Sequence, residues 1–169
     1  MSLIFIEINI TMRILVDADA CPIPAKEILY RVSERLSIPL VMVANSPMRI
    51  PKSPLISMEV VAHGADEADD HIVAICAPED LVITADIPLA ARVIRKSLTA
   101  AVLDPRGTFL TDANIGPRLA LRDLMANLRD EGMKTGGPGA YSPKDKQAFA
   151  NQLDKWLQKQ TSKEGRDTR

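Results

Sequence analysis

Aromatic residues are scarce in this chain. They make up 4% of its 169 residues: three Phe, two Tyr and one Trp. So few rings, Tyr141 and Phe109 among them, leave little for successive bases to stack on, which argues against sequence-specific readout of single strands. Cysteine is nearly absent too. Cys21 and Cys76 lie far apart, too few for a disulfide framework, and no CxxC pair offers structural zinc. A reducing, cytoplasmic setting is the expectation. Neither sign of charge dominates, with 21 Lys plus Arg against 22 Asp plus Glu and a net charge of -1. Binding of nucleic acid through bulk charge is thereby excluded, so any such binding needs a local patch. No apolar run reaches the ~20 residues of a membrane span, and no membrane partner is expected. What is present is 46% hydrophobic residues, too many for a disordered chain and enough to close the core of one domain.

Residues 1–11 are apolar but lack the basic start of a signal peptide, and Glu7 and Asn9 interrupt the run. Ile4, Ile6, Ile8 and Ile10 alternate like an extra strand; the alternative is that translation begins at Met12 and the segment is an N-terminal extension. Beyond it, short β-rich runs alternate with helical patterns. The runs are Ile14-Leu15-Val16, Leu40 to Ala44, Met58 to Ala62, Leu81 to Ala85 and Ala100 to Leu103. Helical stripes fall at Ala25, Ile28, Leu29, Val32 and Leu36, at Ala68, Ile72, Ile75 and Cys76, and at Leu89, Ala90, Val93 and Ile94. Continuous apolar strands alternating with helices predict an α/β fold. It has three layers, with a mostly parallel sheet between helices on both faces. Ala44 to Pro54, with three prolines, reads as a loop. Leu121, Leu124, Met125 and Leu128 mark a further helix. Ser142 and Pro143 open a last one, striped by Phe149, Leu153, Trp156 and Leu157. Both should pack on the sheet or cover its edge. The single domain is expected over 12–158, with 159–169 a disordered polar tail.

In an open α/β sheet, ligands bind outside the carboxyl ends of the strands. There this sequence places acids: Asp17 and Asp19 after the first strand, Asp66, Asp69 and Asp70 after the third, Asp86 after the fourth. Asn45, His63 and Thr84 fall at the same edge. Clustered carboxylates repel one another unless a cation sits between them, and oxygen ligands suit Mg²⁺ or Mn²⁺. Taken singly, several have plainer roles. Asp19 and Asp86 suit helix caps, Asp66 a helix N-terminus, and Asp70 a solvent face. Asp17 and Asp69 do not, because Asp17 ends a wholly apolar strand and Asp69 sits inside the apolar stripe of its helix. His63 reads as a structural histidine and Cys21 as a small buried residue. The loop Gly136-Gly137-Pro138-Gly139 lacks the Lys-Ser or Lys-Thr of a Walker motif and reads as a tight turn. Arg106, after the fifth strand, is a candidate phosphate contact, or else a turn arginine reaching solvent.

Five ordered motifs carry a resemblance. They are Asp17-Ala-Asp-Ala-Cys-Pro22, Ala68-Asp-Asp-His-Ile72, Ile83-Thr-Ala-Asp-Ile-Pro-Leu-Ala90, Leu103-Asp-Pro-Arg-Gly107 and Thr135-Gly-Gly-Pro138. Together they resemble the YaiI/YqxD family of bacterial proteins over Met12 to Leu157, leaving residues 1–11 outside. That family is similar in pattern to the PIN-like nucleases, which hold one or two divalent metals with acids after the first strand, on a middle helix and after the fourth strand. The resemblance implies that those acids are Asp17, Asp66 or Asp69, and Asp86, with Asp19 as an extra acid. The helix acid of PIN nucleases is often Glu, so an Asp here shortens the reach by one methylene.

The expected activity is therefore Mg²⁺- or Mn²⁺-dependent hydrolysis of phosphodiesters, of RNA more than DNA. Asp17, Asp69 and Asp86 would be catalytic; Asp17, Asp19, Asp66, Asp69 and Asp86 would serve the metal; Arg106 and Lys26 would face phosphate. Asp17-x-Asp19 also resembles the opening of haloacid-dehalogenase-type phosphatases, with Asp17 as nucleophile and Asp19 as acid/base. That reading wants a late acidic pair and a phosphate-binding Lys, and offers Lys96 and Asp104. A third reading is a non-catalytic module that binds RNA or protein.

Overall fold

The computed structural model describes residues 12–64, 66–137 and 139–164. Residues 1–11 and 165–169 fall outside it, and with them the expected extra strand and the last part of the expected tail. The described elements run β1 (Ile14–Asp17), α1 (Ile23–Leu36), β2 (Leu40–Ala44), β3 (Ile56–Val60), α2 (Glu67–Ile75), β4 (Leu81–Ile83), α3 (Ile87–Lys96), β5 (Ala101–Leu103), β6 (Phe109–Leu110), α4 (Asp112–Asp130) and α5 (Pro143–Glu164). No described helix is long and apolar enough to cross a membrane.

The strands form one six-stranded sheet in the order β3-β2-β1-β4-β5-β6. All pairings are parallel except β5 with β6. β1, β2 and β4 are buried at every residue, as strands covered on both faces must be, which explains their unbroken apolar runs. Alternate residues serve two cores. Ile14, Val16, Met42 and Ile83 pack with α1 and α5. Leu15, Val41, Val43 and Val82 pack with α2, α3 and the start of α4. The expected three-layer α/β architecture is therefore observed.

β4 ends at Ile83, before the expected Ala85, and the short β6 was not expected; three further details differ from the sequence reading. β3 lies two residues earlier than Met58 to Ala62, because Leu40 already donates to the Leu55 carbonyl at the foot of the strand. As an edge strand with one open side, β3 alternates in burial and so carries the weakest apolar signal. α4 opens with a capping box between Thr111 and Asn114, and only Ile115 of it is buried. Leu121 and Leu124 face away from the domain and are more than half exposed, so the second half of α4 does not pack on the sheet. Finally, α5 continues beyond Lys159 to Glu164. The polar start of the expected tail is the exposed end of a helix whose buried stripe, Phe149, Leu153 and Leu157, ends earlier.

Candidate functional site

β1 lies between β2 and β4. The chain leaves β1 towards β2 and β3, then returns to β4 on β1's other side. Connections diverge above β1 and β4, which makes this the topological switch point, where α/β sheets open a crevice at their carboxyl ends. Asp17 is the last residue of β1 and only 8% exposed. In the β2 and β3 register it stands level with Val43 and Glu59, so its side chain shares the face covered by α2 and α3.

A short relay ties Asp17 to the neighbouring strand end. The Thr84 hydroxyl donates to Asp17 Oδ2 at 3.0 Å, and the Asp86 backbone N–H donates to Thr84 Oγ1 at 3.0 Å. Asp86 Oδ1 caps α3 by accepting from the Leu89 N–H at 3.0 Å. The capping role read from sequence is real, but it uses one carboxylate oxygen. Burial raises the Asp17 carboxyl above its ordinary range; the Thr84 hydrogen bond opposes that, and Asp86 and Asp19 add to it.

Asp69 reaches the same point from the first turn of α2. Its carboxyl is pushed up to about 6, first by burial and then by repulsion from Asp86, Asp17 and Asp66, with Arg92 opposing. The structure thus brings Asp17, Asp69 and Asp86 into one field, with Asp66 at its rim. Asp66 is exposed and left-handed (φ 70°) just before α2, and its side chain does not cap the helix. Asp19 is exposed, and its Oδ2 accepts the Asn45 N–H at 2.7 Å, bridging the ends of β1 and β2. Asn45 Oδ1 is buried with no hydrogen-bond partner.

The expected phosphate contacts fare differently. Lys26, half-buried on α1, rests its Nζ 3.5 Å from Met48 Sδ. Arg106 is committed inside the protein: it pairs with Asp145 at 2.8 Å, donates to the Gly139 carbonyl and lies 5.9 Å from the centroid of the Tyr141 ring. It fastens the β5–β6 turn, at the carboxyl end of β5, to the start of α5. Asp145 lies 39 residues further on, so no local pattern announced the pairing. His63 is exposed, and Cys21 is buried with its thiol pushed up to about 12 by burial. Two polar pairs escaped the sequence reading. His71 on α2 meets Glu59 on β3, and Arg92 on α3 pairs with Asp70 on α2 at 2.8 Å. Each joins elements that a single-sequence pattern does not bring together.

Among the described residues, no three His, Cys, Asp or Glu side chains are grouped closely enough to hold a metal ion between them. The donor set suits a hard, hydrated cation held directly by one or two carboxylates and otherwise through water, as Mg²⁺ commonly is. The mutual repulsion recorded in Asp69 is what such an ion would relieve.

These features define an α/β protein with a group of acids at the switch point of its sheet. The chain belongs to the family described as "Uncharacterized BCR, YaiI/YqxD family", whose profile matches residues 15–159. A UPF0178 protein of Shewanella sp. (strain ANA-3) is 58% identical over 145 residues, covering 86% of this chain and 95% of that protein. One from Shewanella baltica (strain OS223) is 57% identical over 145 residues, with 86% and 95% covered. No solved structure matches.

Proposed function

We propose that this chain is a divalent-cation-dependent nuclease that hydrolyses phosphodiesters, with RNA as the preferred substrate, in the manner of the PIN-like enzymes. The observation that carries the reading is the convergence of Asp17, Asp69 and Asp86 at the switch point, where burial first and then the facing acids push the Asp69 carboxyl up to about 6. A bound Mg²⁺ or Mn²⁺ supplies Lewis-acid polarisation of a phosphoryl oxygen and of an attacking water. The protein's part follows from the hydrogen bonds. Thr84 and the α3 cap each engage one oxygen of Asp17 and Asp86 and orient the two carboxylates, which would hold the ion. Asp69, on the first turn of α2 and facing the other two carboxylates, would take a proton from the attacking water as general base. Asp19 and Asp66 act at the rim through water, and Lys26 faces a phosphate of the bound strand.

The phosphatase alternative has less support. Lys96, its candidate phosphate-binding residue, donates to the Val73 and Ala74 carbonyls at the end of α2. Asp104 accepts the Arg106 backbone N–H, and Asp19 is tied to Asn45. The test is cleavage of labelled RNA, single-stranded DNA and duplex with Mg²⁺ or Mn²⁺, with a phosphatase substrate as control. Cation-dependent RNA cleavage that falls at least ~100-fold in Asp86→Asn is the expected result. Binding of RNA without turnover would favour the non-catalytic module; phosphomonoester turnover lost in Asp19→Asn would favour the phosphatase.

A further inference from the structure

A nuclease edge lined only with acids would repel the backbone it must cut, so cations must flank it. Arg106 is spent on Asp145 and Gly139. Arg92 pairs with Asp70, the residue next to Asp69 in the first turn of α2. It sits on α3, facing α2, about two turns below the Asp86 cap. Its side chain is 40% exposed and, among the described residues, forms one ion pair, through a single nitrogen, with Asp70 Oδ1 at 2.8 Å. A guanidinium carries five donors in a planar fork, so the remaining edge is free to take a phosphate. Lys26 lies on α1 and Arg92 on α3, in opposite helix layers.

Resting on the nuclease reading, we propose that Arg92 is a phosphate-binding residue of this site, so that a single strand crosses the carboxyl edge of the sheet from Lys26 in one helix layer to Arg92 in the other, over Asp17 and Asp86. Asp70 holds the guanidinium against α2 and does not itself touch the substrate. The contact is to the backbone and carries no base preference, consistent with the scarcity of aromatic side chains.

The test measures binding of a short, cleavage-resistant single-stranded RNA by fluorescence anisotropy, in a KCl series at fixed Mg²⁺, alongside the Mg²⁺-induced shift in melting temperature. Arg92→Gln should weaken binding roughly fivefold and flatten the salt slope by about 0.7, the single-strand value for one phosphate contact. Arg92→Lys should keep most of that slope, and the Mg²⁺ shift should persist in both. Asp70→Asn added to Arg92→Gln rebalances the local charge and should not restore binding. Wild-type affinity and slope in Arg92→Gln would overturn the inference. So would recovery of binding in the double variant, because Arg92 would then be only the counter-ion of Asp70. A wild type that shows the Mg²⁺ shift but binds no RNA overturns this inference and leaves the cation site standing; loss of the shift itself removes the nuclease reading beneath it.

Discussion

Two buried aspartates sit at opposite ends of the same sheet and are treated in opposite ways. Asp80, at the amino end before β4, is 1% exposed and fully engaged. It pairs with Arg13 at 2.7 Å and accepts the Ala77 N–H at 2.9 Å and the Arg13 N–H at 3.3 Å. Arg13 in turn donates to the Ile75 carbonyl at the end of α2. Asp17, at the carboxyl end of β1, is 8% exposed and accepts one hydroxyl among the described residues, with Asp86, Asp19 and Asp69 for neighbours. A buried carboxylate beside a guanidinium and two amides is a structural fastener. One surrounded by other carboxylates stores repulsion that folding alone does not require, and on that ground the carboxyl edge is proposed as the working end. The β5–β6 corner follows the Asp80 pattern, since Arg106, Asp145, Gly139 and Tyr141 are mutually engaged.

The contrast breaks most visibly at the fastened end. Asp80→Ala should destabilise the protein by about 3 kcal/mol, because it strands Arg13 and the Ala77 N–H. Chemical denaturation checks this, and a loss under about 1 kcal/mol would erase the distinction between the two aspartates. At the β5–β6 corner, Gly107 has φ +90°, and an added Cβ would lie 2.6 Å from the Ala148 carbonyl carbon. Gly107→Ala should cost about 2 kcal/mol, from strain and displacement of α5.

At the carboxyl edge the sign reverses. Asp69→Asn should stabilise the cation-free protein at pH 7 by about 1 kcal/mol, a figure discounted for the partial exposure of the group. The pH dependence follows from the same rise. A folded carboxyl that titrates near 6 binds its proton more tightly than the unfolded chain does. Stability is therefore lost as pH rises from the ordinary carboxylate range through about 6, and regained on acidification. Asp17 shifts in the same direction. Melting temperature followed from pH 7.5 to 5 should rise in the wild type and rise less in Asp69→Asn.

Much of this was legible in the sequence, because strand interiors and strand ends are local. An unbroken apolar run predicts a covered parallel strand, and the residue after it is the one at the edge; Asp17 and Asp86 follow directly. Asp69 was legible from the conflict between a carboxylate and the apolar stripe around it. Pairings across long sequence gaps were not. Nothing near Arg106 points to Asp145, and nothing near Asp70 points to Arg92, because the packing of α2 on α3 and of α5 on the β5–β6 turn decides both. The stripe of α4 misled for a related reason: helical spacing shows that Leu121 and Leu124 share a face, not that anything in the domain covers it.

The central claim is that the acids at the carboxyl edge form a cation site, and thermal unfolding with and without Mg²⁺ or Mn²⁺ at constant ionic strength tests it most directly. With a millimolar affinity and about ten times that concentration of ion, the wild type should gain about 3–5 °C. Asp17→Asn should start from a higher cation-free melting temperature and gain almost nothing. No shift in the wild type, or an equal shift in Asp17→Asn, would contradict the claim.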